Sequence, residues 1–350
     1  MEEEIKPQRP KWRRIVLIVI CVILALLLSA MIFLTAYVHH LLSLVTYDEN
    51  SILHATLSSE ELEALRSDPD YDPNFTGPSV APEDVPVNTL PSAPQELEQE
   101  EIINIMLIGD DTKQSQIRQR SDSMILCSFN VKTNNLTLIS FLRDTYIPHI
   151  PGFWADKLNA AYAYGGVQTM DETFSSYFGV QIDAHVAVQF EGFKGVIDML
   201  GGVDISLTPA EVQHINSISP WNLSVGMNHL TGEQALVYAR IRKIDMDAKR
   251  AQRQRNVIIA LINAYKDKSL PEMLTLTTKI LESGFIKTDM SPKEVLDYVS
   301  KLFPKLATTT ISNLQIPADG TYTSMTVGNI TATKVCDFEA NRKLLEQVLQ

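Results

Sequence analysis

The sequence predicts an α/β protein: a three-layer α/β/α domain with a central mixed sheet, preceded by one transmembrane helix and a disordered linker. Three observations predict this. Strand-length apolar runs interleave with amphipathic helical stretches from Ile102 to the C-terminus, which implies a sheet between helical layers. Ile15–Val38 is a run of 24 residues without a charge. Between the two lies a stretch rich in proline and acid. With 45% hydrophobic and 21% charged residues, the 350-residue chain has globular composition, which excludes wholesale disorder, collagen-like repeats and coiled coil.

The elements follow in order. Residues 1–14 carry five bases, Lys6, Arg9, Lys11, Arg13 and Arg14, and no Lys or Arg follows them until Arg66. As a helix, residues 15–38 reach about 36 Å, enough to cross a bilayer. The positive-inside rule then predicts a single-pass cell-membrane protein, N-terminus cytoplasmic and C-terminal domain extracellular. A cleaved signal peptide normally has an apolar core of only about 7–15 residues, so a retained anchor is the better reading.

Residues 39–101 are expected to be an extracellular, acidic, Pro-rich linker, with a short helix around Ser59–Leu65. Glu60–Glu101 holds twelve acids against one base, Arg66, and seven of the 17 prolines lie in Pro69–Pro94. Such a segment buries too little apolar surface to offset its ordering entropy. It also accounts for nearly all of the formal charge of −12, leaving residues 102–350 close to neutral. An acidic average therefore does not exclude an anion site in the domain.

Within 102–350, strands are expected at Ile102–Ile108, Ser123–Val131, Leu136–Phe141 and Asp183–Gln189. Helices are expected at Lys157–Tyr164, Val167–Phe178, Phe190–Leu200, Gly232–Tyr238 and Asp247–Lys266. Beyond these, Pro271–Glu282, Pro292–Leu302 and Asp337–Leu349 read as helical, and Ile311–Ile316 and Thr321–Thr331 as extended. Thr231 and Gln234 carry a capping-box signature. Of three cysteines, Cys127 and Cys336 fall in the domain, and an extracellular location leaves a disulfide and two free thiols both open.

Two kinds of residue carry chemistry. Asp111 and Asp122 flank strand ends, and if those strands are neighbours the carboxylates approach each other. Mg2+ binds through one or two carboxylates plus phosphate; Asp also favours turns for local reasons, so spacing leaves both readings open. Arg240–Arg255 holds seven bases against Asp245 and Asp247. Asp247, Arg250 and Gln254 share one helical face, with Arg253 close by. Arginine's planar fork suits phosphate, although a solvated helix face is the plain alternative. Arg120 and Arg143 are further phosphate candidates. There is no Gly-x-Ser-x-Gly elbow, His-Glu-x-x-His, zinc-spaced Cys pair or Walker loop, which leaves nucleophilic catalysis little support and favours phosphoryl transfer by positioning and charge neutralisation. His149, His185, His214 and His229 are scattered and read as surface or strand residues.

Five ordered blocks give these residues a family likeness. They are Asn104–Asp111, Arg120–Leu126, Leu142-Arg143-Asp144-Thr145, Lys157–Gly166, and Leu230–Arg242 with Asp247-x-x-Arg250-x-x-Arg253-Gln254. Together, over roughly residues 102–266, they resemble the LytR-CpsA-Psr family of bacterial cell-wall ligases. The resemblance implies a phosphotransferase that moves a glycopolymer, such as teichoic acid or capsule, from a polyprenyl-pyrophosphate carrier onto peptidoglycan, with a pyrophosphatase side activity. It implies Mg2+ (or Mn2+) on Asp111 and Asp122. It also implies pyrophosphate on Arg120, Arg143, Lys157, Arg240, Arg242, Arg250, Arg253 and Gln254, with Asp247 orienting the arginines, and an apolar lipid pocket between sheet and helices. Of these, Arg120, Arg143, Arg240, Arg242, Asp247 and Arg250 form the expected catalytic set. The chain departs from the pattern at Thr112-Lys113 and at Arg255, where a second Gln is common. A non-catalytic membrane-anchored sensor of lipid-linked wall precursors is the alternative, though a tail of 14 residues is short for signalling. Nucleic-acid binding is suggested only by the basic run and conflicts with the expected outside location.

Overall fold

The computed structural model describes residues 36–44, 57–65, 74–85, 101–110, 119–242, 244 and 247–349. The chain divides into two units, Met1–Val45 and Thr46–Gln350, and residues 36–44 of the first are helical. Among the described residues no helix is long and apolar enough to cross a membrane. The cytoplasmic tail, nearly all of the expected span at 15–38, and Asp111 lie outside the described residues.

In the second unit the chain runs α1 (Ser59–Leu65), β1 (Ser79–Val80), β2 (Ile102–Asp110), β3 (Ser123–Asn130), β4 (Asn135–Phe141), β5 (Tyr146–Ile147), β6 (Asp156–Lys157) and α2 (Leu158–Phe178). It continues through β7 (Ala184–Gln189), α3 (Phe190–Leu200), β8 (Val203–Leu207), α4 (Pro209–Ile218), β9 (Gly226–Leu230), α5 (Gly232–Ala239) and α6 (Asp247–Lys266). Last come α7 (Leu270–Glu282), β10 (Ile286–Thr288), α8 (Pro292–Leu302), β11 (Thr310–Ile316), β12 (Tyr322–Val327), β13 (Ile330–Cys336) and α9 (Phe338–Leu349).

The central sheet has the order β10-β7-β2-β3-β4-β11. It is mixed as expected: β2–β3, β3–β4 and β7–β10 pair antiparallel, β2–β7 and β4–β11 parallel. Strand alternation explains why its strands are apolar on both faces. Met106, Ile108, Met124, Leu126, Ile139 and Phe141 pack against α2 and α9 through Phe174, Phe178, Phe338 and Leu345. The alternate residues Leu107, Gly109, Ser123 and Ile125 face α3, α5 and α6. Gly109 lets β2 and β3 pack closely here, since a Cβ would stand a tight 3.0 Å from Ser123 Cβ.

Several expectations change in detail. The two helices expected at 157–164 and 167–178 run on as α2, interrupted where Gly166 takes φ 70°, ψ −154°, a conformation glycine adopts without steric cost. The extended stretch 321–331 belongs to a hairpin, β12–β13, that turns at Gly328 with φ 56°. The hairpin β8–β9 and the intervening α4 were not among the expected elements, although Val203–Leu207 alternates and Thr208-Pro209-Ala210-Glu211 is a capping box. The capping box at Thr231 and Gln234 is present in both halves. Cys127 and Cys336 are free thiols, each pushed up to about 12 by burial.

The boundary at residue 102 needs correction. α1 forms at Ser59–Leu65 as expected, yet Leu62 and Leu65 pack on the main core. Ser79–Val80 pairs in parallel with Thr326–Val327, and Val85 is buried beside Tyr146 and Val327. Parts of the acidic stretch thus belong to the fold. Their few apolar residues bury against a surface the main domain supplies, which composition counted along the segment does not reveal.

Candidate active site

The site forms where β3 begins, β4 ends and α6 starts. Asp122 enters β3 with its N–H bonded to Gly109 O at 2.9 Å. Its Oδ1 accepts from Arg143 Nη1 at 3.2 Å and from Arg242 Nη2 at 3.3 Å. Arg143 is buried just past β4, whereas Arg242 is 48% exposed and Asp122 24%. The guanidinium of Arg240 lies over the Phe190 ring, 4.2 Å from its centroid, a cation–π contact that fixes a mobile side chain. On the first turns of α6, Gln254 Oε1 accepts from Ser123 Oγ at 3.1 Å, tying helix to strand.

Behind this mouth, in the layer between sheet and helices, lies an apolar cavity of about 190 Å3. Leu107, Ile125, Phe193, Val196, Ile258 and Leu261 line it, and Ser123, Arg240 and Gln254 form its polar neck. A narrow apolar slot ending in hydroxyl, amide and guanidinium groups suits a ligand with a hydrocarbon tail and an anionic head.

The remaining expected site residues occupy different positions. Arg120 is buried and gives its fork to Asp156, Nη1–Oδ1 3.0 Å and Nη2–Oδ2 2.7 Å. Tyr164 OH also donates to Asp156 Oδ2 and accepts from Trp154 Nε1 at 3.1 Å. Burial, then the Asp156 charge, raises the Tyr164 pKa, so the phenol stays protonated. Arg253 is buried, with Nε on Glu211 Oε1 at 2.7 Å and Nη1 on Ile241 O at 3.2 Å. Lys157, only 1% exposed, has Nζ 3.7 Å from Asp144 Oδ1, and Asp144 Oδ2 is 3.7 Å from Arg143 Nε.

Arg120, Lys157 and Arg253, all expected to hold pyrophosphate, each face a buried carboxylate in this structure: Asp156, Asp144 and Glu211 respectively. Arg253 also reaches the carbonyl of Ile241, between Arg240 and Arg242. Those carboxylates, Asp156 and Glu211, were missed because they lie 36 and 42 residues from their arginines. Phe190 was missed as well; its signal was an aromatic residue directly after a strand. Arg250 is buried on α6. Asp111 lies outside the described residues, as does the side chain of Asp247.

Arginines thus stand at the mouth of an apolar slot in a mixed α/β domain. The LytR_cpsA_psr family profile matches residues 78–344, and the chain belongs to that family. It is 32% identical over 223 residues, 63% of this chain and 70% of its relative, to the polyisoprenyl-teichoic acid–peptidoglycan teichoic acid transferase TagU of Bacillus mycoides. Among solved structures it is similar to TagT bound to LI-WTA, with TM-score 0.58 and 27% identity over 72% of this chain and 90% of that one. It is also similar to the family protein YwtF (TagT) with bound octaprenyl pyrophosphate lipid, with TM-score 0.55 and 25% identity over 72% and 91% of the two chains.

Proposed function

We propose that this chain is a membrane-anchored phosphotransferase that moves a teichoic acid or related glycopolymer from a polyprenyl-pyrophosphate carrier onto peptidoglycan. The observation that carries this reading is the apolar cavity necked by Ser123, Arg240 and Gln254, beside Asp122, Arg143 and Arg242. The polyprenyl chain would enter the cavity and leave its pyrophosphate at the arginines. The transferase name of the Bacillus mycoides relative and the octaprenyl pyrophosphate bound to TagT support the same assignment.

In the reaction a peptidoglycan sugar hydroxyl attacks the phosphorus that carries the glycopolymer. A new P–O bond forms, the bond to the bridging oxygen breaks, polyprenyl phosphate leaves with the electron pair, and the hydroxyl proton passes to the departing phosphate or to water. Arg143, Arg240 and Arg242 hold the non-bridging oxygens and stabilise the charge that gathers there. Asp122 keeps two of these guanidiniums convergent, so they need no reorganisation when charge develops. The apolar walls exclude water from the carrier side.

The donor set fits a hard divalent ion. Asp122 Oδ1 takes both arginines, and no described residue bonds its Oδ2, which leaves one carboxylate oxygen for a cation shared with phosphate. Mg2+, or Mn2+ in its place, would be held by Asp122 and by Asp111, and would add Lewis-acid charge neutralisation at the phosphate.

The test is complementation. Cells whose sole copy is Arg240→Ala or Asp122→Ala should lose polymer attachment, and full attachment in both would overturn the reading. The anchor and outside location are tested by adding protease to intact cells: the domain should be cleaved, and protection until lysis would contradict them.

A further inference from the structure

Ile215–Asn228 covers the end of α4, the turn after it and the start of β9, and it is a run of 14 residues without an ionisable side chain. Three of the large apolar side chains most open to water among the described residues lie here: Ile218 at 55%, Val225 at 61% and Met227 at 69%. Single exposed apolar residues are ordinary, but three on one uncharged tip mark a contact surface. The first ionisable groups on either side are His214 and His229, and His229 pairs with Asp204 at 2.7 Å.

The tip spends its polar side chains on its own backbone. Asn216 Nδ2 donates to Leu223 O at 2.9 Å, and its Oδ1 accepts from Leu223 N–H at 3.0 Å. Asn228 Nδ2 donates to Ser224 O and to Gly226 O, each at 2.7 Å, and its Oδ1 accepts from Ser224 N–H at 3.1 Å. Trp221 and Leu223, partly buried, pack on the cluster that holds Ile205 and Ile215. Peptide groups already bonded in this way do not need water as a partner, so the turn leaves water at low cost. With both amides turned inwards, Ile218, Val225 and Met227 are what the tip presents outwards.

The same helix reaches the site. Glu211 on α4 holds Arg253, which bonds Ile241 between Arg240 and Arg242, and Glu211 to Ile218 is about 10 Å along the helix axis. We propose that Ile218, Val225 and Met227 dip into the lipid bilayer and hold the domain against the membrane in one orientation. The proposal rests on the reading that the chain is membrane-anchored and takes a polyprenyl-linked substrate. Residues 39–58 separate the expected span from α1. That tether keeps the domain near the bilayer, but a single attachment does not select the face that meets it. A second, weak apolar contact does, and the tether raises its effective concentration.

The test uses the full-length protein reconstituted in vesicles of equimolar phosphatidylethanolamine and phosphatidylglycerol. With Cys21, Cys127 and Cys336 changed to alanine, a nitrobenzoxadiazole label on Ser224→Cys should lose fluorescence when lipid spin-labelled in its acyl chain is included. The same label on Ser324→Cys, an exposed position on β12, should not. Val225→Asp with Met227→Asp should abolish the quenching at 224. It should also lower kcat/KM about tenfold or more for a polyprenyl-linked donor held in the vesicles, while a water-soluble geranyl-linked donor is turned over as before. An unquenched label at 224 would overturn the proposal, as would equal loss of both donors, which would make the tip structural. Shielding that follows protein concentration without quenching would place a second copy of the chain on the tip and overturn the lipid contact. Quenching in wild-type protein that transfers from neither donor would keep the contact and overturn the transferase reading.

Discussion

Asp122 and Arg242 are 120 residues apart in the chain and joined at 3.3 Å in space, with Arg143 on the same carboxylate oxygen at 3.2 Å. One oxygen therefore holds residues of two separate loops in register. Asp122→Asn keeps the shape and removes the charge that gathers both guanidiniums. We expect kcat for transfer from a lipid-linked donor to fall about 100-fold or more, the scale seen when one oxyanion donor is lost. Purified enzyme with a defined acceptor glycan measures this, and near wild-type turnover would remove Asp122 from the site.

Arg253 and Glu211 form a buried pair, and Glu211 also closes the cap of α4 through Thr208. Arg253→Ala leaves a carboxylate buried without its partner and should destabilise the domain by about 3–5 kcal/mol. Chemical denaturation reads this directly. A loss of binding without a loss of stability would return Arg253 to the ligand set.

His185 is buried between Asp289, Nδ1 to Oδ2 at 2.7 Å, and Asp171, Nε2 to Oδ1 at 2.9 Å. Burial alone would lower its pKa, but the hydrogen bonds that its ring N–H groups donate to the two carboxylates outweigh it and raise the value from 6.5 to about 9. The folded value lies above the unfolded one, so the stabilisation is complete below about pH 6.5 and disappears as pH rises through about 9. The shift corresponds to about 3 kcal/mol. Urea midpoints from pH 6 to 10 should fall for wild type through that window, and His185→Gln should flatten the fall.

The cavity makes a steric prediction. Ile258 lines it one turn from Gln254, so Ile258→Trp fills the slot while leaving the arginines in place. Affinity for long-chain polyprenyl phosphates should drop about tenfold or more, and inorganic pyrophosphate should bind as before. Fluorescence titration against both ligands separates the two effects.

Much of the fold was legible because local chemistry writes it. Asp247–Lys266 and Pro292–Leu302 form helices at the expected bounds, since their apolar residues recur at the helical period, and Ser291 with Glu294 caps the second. The hairpin β8–β9 went unassigned although Val203-Asp204-Ile205-Ser206-Leu207 alternates apolar and polar as a half-buried strand does; its partner Gly226–Leu230 has no such run, and its pairing and burial under the helices are tertiary. At the site, the arginines were legible as charges and their employment was not. Arg120, Arg240 and Arg253 look alike in one dimension, yet only Arg240 lines the cavity.

The sequence by itself determined most of the elements, the blocks that mark the family, and the basic segment Arg240–Arg255, because periodicity and composition act over one or two helical turns. Tertiary structure alone decided which cations face the mouth and which support it. That choice depends on where Asp122, Asp156 and Glu211 stand in space. A buried charge is costly without a counter-charge within a few ångströms, and chain folding sets that distance without regard to separation along the sequence.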